Sequence, residues 1–358
     1  MAGEHVAGHQ AAGQRAPARM GIGGAGVRRR RQWAVVGVSA LVAAGAVAGL
    51  LWRGAVMPDL SRPAADATTF GTELGPAFGP RAGADVAAMA VGHAKGAPVV
   101  AYADKNSNSI TVWDPRAGKL VDTLANPGKA PVLSMALTTL GGRQTVLWTG
   151  GDGTLRRWRI GDPKPGLFFV MCRSDARMTL GTWRDQPAAV IGCPDGQVKT
   201  LDLATNDIVG ETQQVKGAVT ALAWDERSGR ALVGTEYGLF GSSYGIIGKD
   251  RVNAVSVFGE SLAAITAGGS TGVYDLTNGE FVRGFSTGGA AVGVTAAGGR
   301  RMIAGGGDGV TVWNADRGDR LGRLLSAGSK VTALAVGDGL LVAGVNGRLR
   351  AWSLASGS

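Results

Sequence analysis

Histidine and cysteine are scarce in this chain, whose 358 residues include three His and two Cys. His5 and His9 stand near the N-terminus, which leaves His93 as the one histidine for the rest of the sequence. This scarcity excludes a metal site built from several His or Cys ligands, and a Ser-His-Asp triad would have to use His93. We interpret His93 as a solvated loop residue. The sequence therefore predicts no catalytic residue, no metal and no cofactor.

Helical patterns are also missing after residue 68. Short apolar runs follow one another between Gly, Asn and Asp residues, and no helical pattern of about 10–15 residues separates them. This excludes an α/β fold in which helices join parallel strands. The region predicts an all-β architecture.

Most of the chain is nearly balanced in charge, although its formal net charge is +10. Residues 1–62 contain eight Arg against Glu4 and Asp59 and contribute +6, so the remaining residues contribute +4. A nearly balanced domain without a basic, aromatic stripe does not fit nucleic-acid binding. No nucleic-acid partner is predicted.

One segment type recurs along the β-rich region. Residues 107–124 read SNSITVWDPRAGKLVDTL, and residues 307–325 read GDGVTVWNADRGDRLGRLL. Seven copies of this segment contain a position equivalent to the Trp of TVW, which we call the slot. Most slots hold an aromatic residue, and consecutive slots are 31 to 45 residues apart. Gly or Asn follows most slots by five residues, which suits a turn with positive φ. We expect the slot side chains to pack between repeats; the slots are Trp113, Trp158, Leu201, Ser243, Tyr274, Trp313 and Trp352.

In each repeat, two apolar runs precede the run that ends at the slot, and a fourth run follows it. In the first run, large apolar residues alternate with Ala, Ser, Thr or Gly, as expected where strands converge on a central axis. Four strands in about 40–45 residues is the period of a propeller blade. The sequence predicts a seven-bladed β-propeller over residues 68–358. Only six residues follow Trp352, so residues 68–75 are expected to complete the last blade by pairing with its third strand.

This pattern resembles the WD40-repeat β-propellers. TVWDP at 111–115 and VYDLTNG at 273–279 are similar to the Trp-Asp ending of that family. Asp152, Asp195 and Asp308 match the aspartate at its tight turn, and we interpret them as structural. The Gly-His pair of the family is absent, because no histidine follows the first repeat. The same pattern also resembles quinoprotein-like propellers.

The resemblance implies a rigid disc whose loops and central opening bind a protein partner or a ligand. We therefore expect an interaction module rather than an enzyme. The alternative is an exported quinoprotein-like oxidoreductase or lyase, although residues such as Arg159, Asp275 and Asn314 follow the repeat rather than cluster.

The first part of the chain predicts a membrane anchor. RRRRQ at 28–32 leads into residues 33–52, in which Trp33 and Trp52 bracket eighteen uncharged residues. Twenty helical residues span about 30 Å, the thickness of a hydrocarbon core, and Trp favours the two interfaces. Six Arg precede the segment, which keeps the N-terminus in the cytoplasm.

The predicted organisation is a disordered basic cytoplasmic tail, a single transmembrane helix in the lipid bilayer, a linker and an extracytoplasmic propeller. The excess of Arg over Lys, with abundant Ala and Gly, indicates a bacterial cytoplasmic membrane protein. The segments are residues 1–32, 33–52, 53–67 and 68–358.

Other interpretations of the apolar segment also export the propeller. Ala46-Val47-Ala48 fits the cleavage site of a removed signal peptide, and Arg30-Arg31 is a loose twin-arginine match. Gly45 and Gly49 form a GxxxG pair, which is compatible with a weak homodimer through the helix.

Cys172 is expected to end the outer strand of the second blade, and Cys193 to end the second strand of the third blade. An exported domain meets oxidising conditions, which permit a disulfide. The two strands lie at different distances from the propeller axis, however, and Cα atoms more than about 7 Å apart cannot be bridged. The sequence leaves both outcomes open and favours free or buried thiols.

Three other tryptophans break the repeat pattern and are the candidate binding residues. Trp148, Trp183 and Trp224 belong to the second, third and fourth blades. We hypothesise that they gather near one face or the channel as a ligand patch; the alternative is that they fill space in the core.

Overall fold

The structure is a computed structural model that describes most of the β-rich region. The described residues are 71–79, 86–94, 96–104, 109–125, 127–166, 168–242, 245–248, 250–258, 262–267, 269–287, 291–297, 300–307, 309–323, 331–337 and 339–354. The predicted tail 1–32, span 33–52 and linker 53–67 lie outside them, as do Gly45 and Gly49. Among the described residues, no helix has the length and apolar character needed to cross a membrane.

Twenty-eight strands are described. The first five are β1 (Thr72–Glu73), β2 (Val86–Ala94), β3 (Ala97–Asp104), β4 (Ser109–Asp114) and β5 (Lys119–Ala125). The next four are β6 (Val132–Leu140), β7 (Arg143–Gly150), β8 (Thr154–Arg159) and β9 (Phe168–Val170). These are followed by β10 (Arg177–Trp183), β11 (Gln186–Gly192), β12 (Gln197–Asp202) and β13 (Ile208–Gln214).

The second half of the region continues the series. It contains β14 (Ala221–Asp225), β15 (Arg230–Thr235), β16 (Gly238–Ser242), β17 (Gly245–Ile247), β18 (Ala254–Phe258), β19 (Leu262–Ala267), β20 (Ser270–Asp275) and β21 (Phe281–Ser286). The last strands are β22 (Ala291–Ala297), β23 (Arg300–Gly307), β24 (Gly309–Asn314), β25 (Arg320–Arg323), β26 (Val331–Gly337), β27 (Leu340–Val345) and β28 (Arg348–Ser353).

These strands form seven antiparallel sheets of four strands each. Six sheets are built from consecutive strands, beginning at β2, β6, β10, β14, β18 and β22, and the seventh has the order β1-β28-β27-β26. The inner strand of each sheet lies beside that of the next, and β26 lies beside β2, so the sheets follow one another around a ring. The predicted all-β propeller architecture is confirmed.

The seventh sheet is completed by the segment that precedes the first one. Thr72 pairs with Ser353, and Glu73 pairs with Trp352. The paired strand lies within the predicted segment 68–75 but is shorter, and residues 68–70 lie outside the described part of the chain. The first and last described strands therefore share one sheet, which connects the first and last repeats.

The hydrophobic core lies between neighbouring sheets. Seven described clusters of buried side chains each combine residues of two adjacent sheets. Among the slot residues, Trp158, Trp313 and Trp352 are buried, and so is Leu201. Trp113 and Tyr274 are partly buried and pack at the edges of two clusters, whereas Ser243 lies outside the described residues.

The turns between third and fourth strands use the backbone conformation that the sequence predicts. Gly118 has a φ of 63° and Asn206 a φ of 68°, values that favour Gly and Asn. Such turns let the outer strand return antiparallel to the third strand, as β5 does beside β4 and β13 does beside β12.

Candidate functional site

The three candidate tryptophans occupy different environments. Trp148 lies on β7 with 1% of its surface exposed, inside the cluster between the first and second sheets. Its ring is enclosed by that core, as in the alternative that these tryptophans fill space. The repeat pattern alone does not predict the burial of Trp148, because the space available to its ring depends on the neighbouring sheet.

Trp183 is the last residue of the inner strand β10. Its ring edge faces Gly210 of β13, where an added Cβ would lie 3.1 Å from the ring. The guanidinium carbon of Arg184 lies 5.7 Å from the ring centroid, a distance at which a cation and an aromatic face attract each other. Trp183 therefore packs within its own sheet.

Trp224 lines a cavity of about 310 Å³ on the channel side of the ring. The walls come from the inner strands β10, β14 and β18 and from the residue after β14, and they combine apolar groups with hydroxyls and one carboxylate. The lining residues are Thr179, Leu180, Leu222, Ala223, Trp224, Glu226, Val255, Ser256 and Val257.

The position of the Trp224 ring is fixed by a neighbouring glycine. A Cβ added to Gly181 of β10 would lie 2.4 Å from Cδ2 of Trp224, closer than non-bonded carbon atoms approach each other. The ring fills the space that Gly181 leaves, and it also packs beside the buried cluster between the third and fourth sheets. A small residue on one inner strand thus makes room for a large one on the next.

Trp224 also carries an unusual polar group. Its Nε1 is buried and has no hydrogen-bond acceptor among the described residues. Leaving a buried donor unsatisfied costs about 1–3 kcal/mol, so an acceptor that enters the cavity and reaches this nitrogen would recover part of that cost.

Glu226 supplies the negative charge of the cavity. Its carboxylate accepts a hydrogen bond of 3.0 Å from Oγ1 of Thr182, and the residue is exposed. Ser256 of β18 also lines the cavity, whose exposed surface is mainly polar. The cavity can hold a polar side chain or small molecule that forms hydrogen bonds with its walls.

His93 lies in strand β2 rather than in the predicted loop. It pairs with Pro98 one residue before the strand ends, and it is exposed. Within the part of the chain that the structure describes, no group of three or more His, Cys, Asp or Glu is arranged to hold a metal ion.

Cys172 and Cys193 form a disulfide, with Cα atoms 5.4 Å apart. The expectation of free or buried thiols is wrong. After β9 the chain turns inward over the second sheet, because the backbone N–H groups of Met171 and Cys172 both donate to the carbonyl of Gly153. This places Cys172 beside the end of β11, and the disulfide joins the second sheet to the third.

The turn aspartates act on their own turns. Asp152 accepts hydrogen bonds from the backbone N–H and the hydroxyl of Thr154 and from both terminal nitrogens of Arg156. The Arg156 hydrogen bond is the main cause that lowers the Asp152 pKa to about 2. Asp195 accepts from the N–H of Gln197, while Asp308 lies outside the described residues.

Comparison with known proteins identifies the architecture only. No family model matches the chain, and no curated protein matches it. Among 1559 similar solved chains, Raptor from Chaetomium thermophilum has a TM-score of 0.61 at 16% sequence identity. The match covers 76% of this chain and 28% of Raptor. The chain thus spans under a third of that protein, and the likeness concerns the propeller fold.

Proposed function

We propose that this chain is a membrane-anchored, seven-bladed WD40-like propeller that binds a protein partner or ligand outside the bacterial cytoplasm. Residues 33–52 form the anchor, residues 1–32 the cytoplasmic tail and residues 53–67 the linker. The blade number is supported by the seven four-stranded sheets and by the adjacency of β26 and β2. The role is binding rather than catalysis.

Two observations support the location. Six Arg precede the apolar segment, which favours a cytoplasmic N-terminus and an exported propeller. The Cys172–Cys193 disulfide is typical of proteins that fold in oxidising compartments. The two observations are independent, since one rests on charge near the N-terminus and the other on contacts inside the ring.

The cavity at Trp224 carries the binding proposal. It is walled by residues of three inner strands and is lined by Trp224, whose buried indole N–H has no acceptor among the described residues. Rigid walls reduce the loss of conformational entropy that accompanies binding. The propeller fold that the chain shares with Raptor is compatible with an interaction role.

Protease added to intact spheroplasts tests the location. The propeller should be trimmed while a cytoplasmic control protein survives. Full protection of the propeller would contradict the proposed topology, and its release without protease would indicate a cleaved signal peptide instead of an anchor.

Site-specific photocrosslinking in the native membrane tests the binding site. A photoreactive residue at Glu226 should capture a discrete partner, and the Trp224→Ala change should reduce that capture. The matched control is a photoreactive residue at Arg173, which is exposed and does not line the cavity. Equal capture from both positions would show that the channel cavity is not the binding site.

A further inference from the structure

A second cavity, of about 200 Å³, lies beside the end of β8. It is lined by Arg157, Arg159, Asp162 and Gly166. The two arginines alternate along β8 and so point to the same side of the sheet. On that side, the N–H of Arg157 Nη1 reaches the carbonyl of Leu203 in the third sheet. The cavity therefore adjoins the junction of the second and third sheets and is separate from the channel cavity.

The one carboxylate of this cavity is already engaged. A carboxylate oxygen of Asp162 lies 2.7 Å from Nη2 of Arg143, a residue outside the lining. The negative charge of Asp162 is thus matched by a guanidinium that does not face the cavity, and it offers little compensation to Arg157 and Arg159.

The two lining guanidiniums have no acidic partner among the described residues. Arg157 is half-buried, and its Nη1 donates to the Leu203 carbonyl at 3.4 Å and to Oδ1 of Asn206 at 3.3 Å. Both acceptors are neutral and both contacts are long. Arg159 is exposed, and its guanidinium has no hydrogen bond or ion pair within the described ranges.

The electrostatics of Arg157 agree with this geometry. Burial, and secondarily the positive charge of Arg159, lowers the pKa of the Arg157 guanidinium. Both causes disfavour the charged form, and an anion between the two groups would oppose both. The strand places two like charges together and leaves most of their ten N–H donors available.

We infer that the cavity beside Arg157 and Arg159 binds a phosphate group, a role beyond the partner binding proposed for the channel. A phosphate offers oxygen edges that match the planar guanidinium fork, and its double charge matches the two arginines. The neutral contacts of Arg157 to the third sheet orient its guanidinium before the anion arrives. The phosphate can belong to a soluble molecule or to a lipid headgroup.

Calorimetric titration of the full-length chain in zwitterionic detergent with inorganic phosphate tests the inference. The titration runs at about pH 8, above the second phosphate pKa, and at fixed ionic strength, because salt screens exposed charges. The wild type should bind saturably, and Arg159→Gln should weaken binding by about tenfold or more. Arg159→Lys keeps the charge without the fork and should lose part of the affinity.

Two controls make the result decisive. Arg230→Gln removes an exposed arginine of the fourth sheet that does not line the cavity and should leave binding unchanged. Arg157→Gln should also weaken binding, but Arg157 contacts the third sheet. Arg159 therefore decides the question, provided that its variant melts like the wild type. Equal phosphate affinity of the wild type and Arg159→Gln, or acetate binding as tightly as phosphate, would overturn the inference.

A final titration distinguishes the source of the phosphate. Short-chain phosphatidic acid is compared with glycerol 3-phosphate on the wild type and on Arg159→Gln. Tighter binding of the lipid indicates a headgroup site, and equal affinity indicates a soluble phosphate compound. In both cases the arginine change must weaken binding, and a lipid affinity that ignores Arg159→Gln would count against the site.

Discussion

Arg350 holds the carboxylate of Glu73 by two hydrogen bonds, of 2.6 Å from Nε and 2.5 Å from Nη2, across 277 residues of sequence. The pair joins β28 to β1 inside the seventh sheet. Both side chains keep about a third of their exposure, 35% for Arg350 and 36% for Glu73. Exposed ion pairs contribute only about 0–1 kcal/mol, so this contact specifies the pairing more than it stabilises the ring.

The main contribution to closure should come from Phe78. It is 4% exposed, exchanges backbone hydrogen bonds with Leu349, and stacks on Trp113 of the first sheet with ring centroids 5.4 Å apart. We expect Phe78→Ala to lower the free energy of unfolding by about 3–5 kcal/mol. Glu73→Gln should cost about 1 kcal/mol or less. Denaturant unfolding of both variants checks this order, and a larger loss for Glu73→Gln would contradict it.

The disulfide should contribute to stability through the unfolded chain. It closes a segment with a sequence separation of 21, for which restriction of the unfolded state predicts about 3 kcal/mol. The Cys172→Ser/Cys193→Ser double variant and the reduced wild type should therefore melt at similarly lowered temperatures. Alkylation of the unfolded, unreduced protein checks the bond itself, because labelling of two thiols would show that it does not form.

Gly181 and Trp224 should be energetically coupled. Gly181→Ala places a methyl group where the indole ring lies, and such overpacking costs about 1–3 kcal/mol. In a Trp224→Ala background the same change should cost less, with a coupling of at least about 0.5 kcal/mol. Unfolding free energies of the four proteins give the coupling, and simple additivity would mean that the ring moves away without cost.

Acid should remove the contribution of the Asp152 carboxylate to the free energy of unfolding. Its folded pKa of about 2 lies below the ordinary 3.8, so the contribution is complete above about pH 3.8 and is lost as the pH falls through about 2. The side chain is 36% exposed, and solvent screening limits the effect to about 1 kcal/mol or less.

Asp152→Asn should therefore be less stable than the wild type at neutral pH, and the difference should vanish only below about pH 2. Thermal melts across this pH range measure it. The Arg156→Gln background supplies the control, because the same substitution should have little effect there. A difference that persists at the lowest pH would mean that the ion pair is not its source.

Local patterns in the sequence were sufficient to predict the strands and their turns. The alternation in β2, β6 and β10, the Gly and Asn turns and the turn aspartates each depend on residues within one repeat. The burial of Trp158, Trp313 and Trp352 followed from their shared slot. The closing pair of β1 and β28 was also predictable, because an incomplete last repeat requires a strand from elsewhere.

Contacts between sheets were not predictable from those patterns. The repeat places Cys172 and Cys193 at different distances from the axis, and only the inward turn of the chain at Gly153 brings them together. Trp148 is core because the first sheet leaves space beside β7, and Trp224 reaches the channel cavity because Gly181 makes room for it. The paired charges of Arg157 and Arg159 could be read along β8, but their lack of an acidic partner depends on Arg143 taking Asp162. The sequence of each repeat thus determined the strands and turns of its own sheet. Packing between neighbouring sheets decided which side chains line a cavity, because no single repeat encodes the contacts between two sheets.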